Sequence, residues 1–271
     1  MNDFATTNRS KLGTLVKEYK LSPARVRQLI LLIFLSAGMA TVCWVPAIFE
    51  LNESLTARVG IAILGLFVAL PMFAGIYQLF RLGGVSLSLY ENGFIYRRQG
   101  REYRTSWDEI DSFIQESACR ITKKDGEVIE FGPGIEGVEE IVEEIREQTM
   151  QRMLPQTKTA IQNGSSILFR GLHPFGKWSP GRTLNNFAFA SSGYSVDSQG
   201  ITDIDKKNSI AWKDVKAYGI RQEKMGRVPV DLFVIQAEKD CFQTRLGLLS
   251  NAHVLLALCA EMTGLNPMDH G

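Results

Sequence analysis

Two long apolar runs without a charged residue dominate the hydropathy pattern near the start of the chain. The first extends from Leu29 to Phe49 and the second from Val59 to Phe80. Each can cross a bilayer as a helix, because ~20 residues at ~1.5 Å rise span a hydrocarbon core of ~30 Å. Since only a short segment separates them, we predict an antiparallel transmembrane hairpin over 29–81, preceded by a cytoplasmic tail over 1–28.

A signal peptide and a pair of buried core helices are the alternatives. The apolar part of a signal peptide covers only ~7–15 residues, and the first run here is longer and is followed by a second run. Core helices of soluble proteins usually carry a polar stripe, which neither run has. The first helix is predicted to begin at Pro23, because Ser22 is a favourable N-cap and proline suits the first helical position.

The charges around the two runs predict the orientation. The basic residues before the first run are Arg9, Lys11, Lys17, Lys20, Arg25 and Arg27. The connection carries Glu50 and Glu53 and no basic residue up to Ala57, whereas Arg81 follows the second run. Because positively charged flanks stay in the cytoplasm, we expect a multi-pass protein of the inner or plasma membrane with both termini cytoplasmic. The absence of charge within the runs argues against transport by the hairpin alone.

The polar region after the hairpin contains one pattern twice. A glycine turn at Gly93 or Gly200 is followed by a Trp-x-acidic-aliphatic motif at Trp107 or Trp212, and each copy ends in an amphipathic helix. We therefore predict two domains, over 83–154 and 155–266, followed by a tail over 267–271. The boundary is set at Pro155 because proline usually ends a helix. Both tryptophans are expected to anchor a core.

Turn residues predict the elements within each copy. In the first copy, two-residue turns at Gln99–Gly100 and Asp125–Gly126 each join two strands, and a helix with an acidic outer face follows from Val138. The second copy has strands between 166 and 246, and its helix is capped by Ser250 or Asn251 and ended by Gly264. Its segment Gly171–Thr183 has no counterpart in the first copy.

Antiparallel strands closed by one helix, with an early glycine turn and the tryptophan motif, resemble the pleckstrin-homology-like (PH-like) fold. The hairpin with two such copies is similar to an uncharacterised bacterial family of membrane-tethered PH-like proteins. The resemblance covers Gly83 to about Gly264. It implies an α+β chain in which a transmembrane hairpin precedes two PH-like domains, each an antiparallel sheet or barrel closed by a C-terminal helix. It also implies that hairpin tips at the open end of the sheet hold phosphorylated headgroups.

The tip of the first hairpin is the leading candidate site, with four arginines, Arg97, Arg98, Arg101 and Arg104. The two-residue turn places Arg98 opposite Arg101, where like charges repel and a bound anion would relieve the repulsion. We therefore expect this tip to bind anionic lipid. The alternative is a solvated tip in which Arg97 pairs with Glu102.

The inserted segment is the second candidate, as an interface loop. Lys177, Trp178 and Arg182 combine basic and aromatic side chains, which suits a membrane interface. The alternative is that Trp178 packs on the edge of its domain.

Composition and motifs predict no catalytic site, metal or cofactor. The net charge of +1 argues against nucleic-acid binding. The four cysteines are isolated, and no P-loop, GxSxG or HExxH motif occurs. Asp203 and Asp205 share a strand face but lack a third ligand, so an enzyme using them is disfavoured.

The function expected from these features is a membrane-anchored cytoplasmic binding or scaffolding module of tandem PH-like domains. Its partners would be anionic lipid headgroups or another protein. The alternative is an accessory subunit of a membrane transporter or secretion complex, in which the hairpin makes the main contacts.

Overall fold

The structure of the chain is a computed structural model that describes residues 12–49, 55–115, 118–132, 134–171, 192–205, 207–225 and 228–268. They belong to two compact units. The first unit lies within Met1–Arg104 and Pro133–Val138, and the second within Thr105–Gly132 and Glu139–Gly271. The chain therefore passes between the units more than once.

Two long apolar helices form most of the first unit. Helix α1 spans Pro23–Phe49, which confirms the predicted start, and α2 spans Leu55–Leu82. Both are long and apolar enough to cross a membrane, and only 17% and 18% of their apolar stretches are buried. Core helices of a soluble protein would be mostly buried, whereas here Phe34 is 71% and Phe80 is 80% exposed. The helices thus present apolar side chains outward.

Small residues allow α1 and α2 to approach closely. A Cβ atom added at Gly75 would lie 2.8 Å from the Ile33 side chain, and one added at Gly65 would overlap the Trp44 indole. Ile33 precedes Trp44 in α1, whereas its partner Gly75 follows Gly65 in α2. The two helices therefore run in opposite directions. Glycine at such positions brings helix backbones together.

The first sheet contains a strand that precedes the helices. Strand β1 (Leu15–Lys20) pairs with β2 (Ser86–Tyr90), and β3 (Gly93–Arg98) and β4 (Arg101–Ser106) complete the antiparallel order β1-β2-β3-β4. Residues 15–20 were expected within a tail, and that prediction is wrong. The strand was missed because Tyr19 is its only buried residue, so apolar alternation is lacking.

Residues 134–136 form hydrogen bonds to the chain between β1 and α1. Leu21 forms an antiparallel bridge with Ile135, whose side chain is buried. The Ser22 N–H donates to the Gly134 carbonyl at 2.9 Å, and the Glu136 N–H donates to the Lys20 carbonyl at 2.9 Å. These bonds fix the chain immediately before it enters α1.

A second sheet and a long helix follow. The strands are β5 (Ile110–Gln115), β6 (Cys119–Lys123) and β7 (Val128–Phe131), in the order β5-β6-β7, and helix α3 covers Val138–Gln162. A 3₁₀ turn led by Trp107 connects β4 to β5. The turn predicted at Asp125–Gly126 is confirmed, since Gly126 has φ +88° and the Asp125 carboxylate accepts the Glu127 N–H.

The same order of elements then occurs again. The third sheet contains β8 (Ile167–Arg170), β9 (Gly193–Val196), β10 (Gly200–Asp203) and β11 (Ser209–Ala211) in the order β11-β10-β9-β8. The fourth contains β12 (Val215–Met225), β13 (Val228–Ala237) and β14 (Cys241–Arg245), and α4 covers Ala252–Thr263. A 3₁₀ turn led by Trp212 joins these sheets. Trp107 and Trp212 are both buried, as predicted.

Two further expectations from the sequence are wrong. Pro155 does not end the preceding helix, because α3 continues to Gln162 and buries Thr157 and Ile161 beyond the proline. The helix is terminated instead by Gly164 (φ +81°), two residues after its last helical residue, where the Ser165 N–H donates to the Ala160 carbonyl in a Schellman arrangement. The barrel alternative also fails, since the described strands form four separate open sheets. The tryptophan-led turns end each four-stranded sheet before the next sheet begins.

Asn251 links β5 to the start of α4 within the second unit. Its side-chain carbonyl accepts the Phe113 N–H at 2.9 Å, and its amide donates to the Asp111 carbonyl at 3.0 Å. Its own N–H donates to the Phe113 carbonyl at 2.8 Å. Asn251 is the residue before α4, as predicted, but its side chain bonds to the edge strand β5 instead of capping the helix. The predicted end of α4 at Gly264 is confirmed.

We expect Asn251→Ala to lower the free energy of unfolding by ~2–4 kcal/mol. The change removes the partner of the buried Phe113 N–H and of the partly buried Asp111 carbonyl, and alanine is strained at the left-handed φ of 51°. Asn251→Gly removes the same bonds without the strain, so it should cost ~1 kcal/mol less. Urea unfolding of the full chain in micelles, followed by tryptophan fluorescence, measures both. Wild-type stability of the alanine variant would contradict this account.

Candidate functional site

The turn between β3 and β4 has the geometry that the sequence predicts. Gln99 and Gly100 both have positive φ, 52° and 76°, as a two-residue type I′ turn requires. The rings of Tyr96 and Tyr103 stack across the two strands with their centroids 6.0 Å apart. This pairing places Arg98 and Arg101 on either side of the turn, on the face that carries the two tyrosines.

Glu102 holds two of the four arginines. Arg97 Nε lies 2.8 Å from Glu102 Oε2, and Arg104 Nε lies 2.6 Å from Oε1. Partial burial raises the pKa of Glu102, but the hydrogen bonds from Arg97 and Arg104 outweigh it and the pKa is below its usual value. The expected Arg97–Glu102 pair is therefore present, and the carboxylate serves Arg104 as well.

Arg98 and Arg101, unlike Arg97 and Arg104, do not pair with Glu102. Within the ranges that the structure describes, no ion pair joins either guanidinium to a carboxylate. Arg101 is exposed and Arg98 is half-buried. Two positive charges thus flank the turn, while the opposite face of the hairpin carries the Arg97–Glu102–Arg104 cluster, in which one carboxylate offsets one of two positive charges.

The register of the first sheet places the turn between β3 and β4 at the end of the sheet that adjoins α1 and α2. Lys20 pairs with Ser86, and Ser86 pairs with Arg97. Lys20 and Ser86 are the strand residues nearest to α1 and α2, so the β3 end that carries Arg97 and Arg98 lies beside the points where both helices join the sheet. The arginine turn, defined as Arg97–Arg104, is therefore at the helix-bearing end. The sequence analysis did not predict this position of the turn. It could have done so, because β2 starts next to α2 and the antiparallel strand β3 must end there.

The second predicted site, Lys177, Trp178 and Arg182, lies outside the described residues. Asp203 and Asp205 are described, and both stabilise a turn after β10. The Asp203 carboxylate accepts the Asp205 N–H at 2.9 Å, and the Asp205 carboxylate accepts the Ser192 N–H at 2.7 Å. Within these same described ranges, no cluster of three or more His, Cys, Asp or Glu side chains is arranged to hold a metal ion.

We expect Glu102→Gln to lower the free energy of unfolding by less than ~1 kcal/mol, because the three side chains are partly exposed and solvent screens them. The folded pKa of Glu102 lies below its usual value of 4.5, so its stabilisation is present above that pH and is lost as the pH falls through the folded pKa. Chemical denaturation between about pH 3 and pH 7 measures this. The wild type should lose more stability on acidification than Glu102→Gln, and the more exposed Glu130→Gln is the control. Parallel pH profiles for wild type and Glu102→Gln would contradict it.

Comparison with known protein families identifies a relationship. No curated protein matches the chain. A family model described as a family of unknown function (DUF6585) matches residues 1–173. The matched region contains β1, both apolar helices, the arginine turn and all of α3, and it is more than half of the chain. The chain therefore belongs to the DUF6585 family.

Proposed function

We propose that the protein is a membrane-anchored cytoplasmic binding module of tandem PH-like domains, which docks its first sheet on anionic lipid through the arginine turn. The observation that carries the proposal is the register Lys20–Ser86–Arg97, because it brings the turn to the end of the sheet from which the apolar helices leave. A bilayer that held those helices would lie next to this end.

Exposed apolar surface supports the membrane anchor. Large side chains such as Phe34, Phe67 and Phe80 project from α1 and α2 with more than half of their surface accessible. A contiguous apolar surface of this extent is unfavourable in water and suits a hydrocarbon environment. The helices α1 and α2 are therefore proposed to form the transmembrane hairpin.

Strand pairing supports a common side for the two ends of the hairpin. β1 precedes α1 and β2 follows α2, yet the two strands form one ladder from Leu15–Tyr90 to Lys20–Ser86. Strands on opposite sides of a bilayer cannot form such a ladder. The basic residues before α1 favour the cytoplasm as the common side.

The repeated order of elements supports the PH-like assignment. Twice, a four-stranded antiparallel sheet is followed by a tryptophan-led 3₁₀ turn, a three-stranded sheet and a helix. In the first occurrence, the apolar helices lie between strands one and two. The proposed anchor is thus an insertion in the first PH-like domain, and it does not precede that domain.

The charges of the arginine turn support an anionic surface as its partner. Arg97 and Arg104 share the single carboxylate of Glu102, and Arg98 and Arg101 lie on the other face of the hairpin. A basic residue near an anionic leaflet contributes about 1 kcal/mol. Since the sheet is tethered at two points, a weak affinity for lipid suffices for docking.

The proposed anchor predicts that both termini lie on the cytoplasmic side. Epitope tags at the two ends should be digested by protease in inside-out vesicles and protected in right-side-out vesicles. A tag placed in the connection between α1 and α2 should show the reverse pattern. Opposite accessibility of the two terminal tags would exclude the β1–β2 ladder in the membrane-bound protein.

The proposed lipid docking predicts slower hydrogen exchange in the arginine turn on an anionic membrane. In nanodiscs containing phosphatidylglycerol, backbone amides over 93–106 should exchange about tenfold more slowly than in phosphatidylcholine. About 1 kcal/mol from each of two arginines exceeds the ~1.4 kcal/mol that corresponds to a factor of ten. Hydrogen exchange of the full chain, followed by mass spectrometry, measures the difference. Added salt should reduce it.

Charge-reversal variants make this test specific. Arg98→Glu with Arg101→Glu should abolish the dependence on lipid charge. Lys213→Glu with Lys216→Glu makes the same change in net charge at exposed positions of the second unit and should preserve the dependence. Equal exchange in both lipids for the wild-type protein would refute docking by the arginine turn and leave the anchor unaffected.

A further inference from the structure

The second unit contains a pocket of about 530 Å³ that the proposed lipid docking does not use. Elements from both occurrences of the repeated order line it: β5 and α3 from the first, and β12, β13, β14 and α4 from the second. Its volume is within the range of ~300–1,000 Å³ that is usual for small-molecule sites. Apolar walls come from Phe113, Ile220, Val230, Leu249 and Leu256.

Arg146 brings a guanidinium to this pocket. Its Nη2 lies 2.7 Å from the carboxylate of Glu143, which is on the exposed side of α3, and the Arg146 side chain is 41% exposed. Among the described residues, Glu143 is the carboxylate that pairs with this guanidinium. A guanidinium has five N–H donors and is well suited to a carboxylate oxygen. Arg146 can therefore pair with a ligand carboxylate in addition to Glu143.

The imidazole of His253 lies on the same side of the pocket. Its Nε2 is 2.8 Å from Thr149 Oγ1, and its ring packs edge-on against Phe113 with centroids 5.6 Å apart. Burial, and then the nearby charge of Arg146, lower the pKa of His253 to about 4. His253 is thus neutral at physiological pH and leaves Arg146 as the cation beside the apolar wall.

The other charged groups limit the ligand. Arg245 also lines the pocket and adds a second positive charge. Asp231 is the carboxylate among the lining residues; it is exposed, and Gln222 donates to it at 3.2 Å. A negative charge at the rim disfavours a doubly charged phosphate more than a singly charged carboxylate. The extensive apolar wall favours a ligand with an apolar body.

We propose that this pocket binds a small monocarboxylate with an apolar body, whose carboxylate pairs with the Arg146 guanidinium while the body contacts Phe113, Val230 and Leu256. This site is independent of the arginine turn, which lies in the first unit.

The test uses the full chain in nanodiscs and 4-fluorophenylacetate as the probe, observed by ¹⁹F NMR. Empty nanodiscs correct for partition into lipid. The wild-type protein should show saturable binding, and the uncharged 4-fluorophenylacetamide should bind about tenfold or more weakly, because a charge-assisted hydrogen bond is lost. Absence of saturable binding beyond that of empty nanodiscs would overturn the proposal.

Matched variants locate the probe. Arg146→Gln should weaken binding by about tenfold or more. Arg152→Gln is the control, since Arg152 is on the same helix, pairs with Asp108 and does not line the pocket. Leu256→Phe, which narrows the pocket and leaves Arg146 intact, should also weaken binding. Wild-type affinity in Arg146→Gln, or loss of binding in Arg98→Glu with Arg101→Glu, would place the probe elsewhere and overturn the proposal.

Discussion

The hydrogen-bonded ladder between β1 and β2 is the constraint on which the first unit depends. It joins residues on either side of two apolar helices, and it ends at the pair Lys20–Ser86, close to both helices. The ladder holds the start of α1 and the end of α2 at the same end of the sheet. Through β2 and β3, it also fixes the end of the sheet at which the arginine turn lies. The position of the candidate lipid site follows from pairing alone.

Local sequence signals predicted the features that depend on few residues. The start of α1 at Pro23, the type I′ turn at Gln99–Gly100 and the end of α4 at Gly264 follow from backbone preferences that hold in any context. Burial of Trp107 and Trp212 follows from the size of the indole ring. In each case, the physical cause lies within one turn of the residue concerned.

Features that depend on distant partners were beyond such reasoning. β1 lacks an apolar alternation, and only its pairing with β2 makes it a strand. α3 continues past Pro155 because packing of later residues outweighs the local cost of proline. The sharing of Glu102 by Arg97 and Arg104 was only half predicted, and the pocket beside Arg146 requires elements that are far apart in the chain. The two-residue turn was thus predicted correctly, but the charge balance around it required coordinates.

The same ladder sets the order in which the chain can assemble. β1 leaves the ribosome first, but its partner β2 is synthesised only after both apolar helices. The first strand must therefore wait, unpaired, until both helices have been synthesised, and closing so long a loop is slow. Lys17, Glu18 and Lys20 suit this waiting period, because charges on an unpaired strand discourage association with other chains. Completion of the first sheet therefore requires that the helix pair has formed and has brought its two ends together.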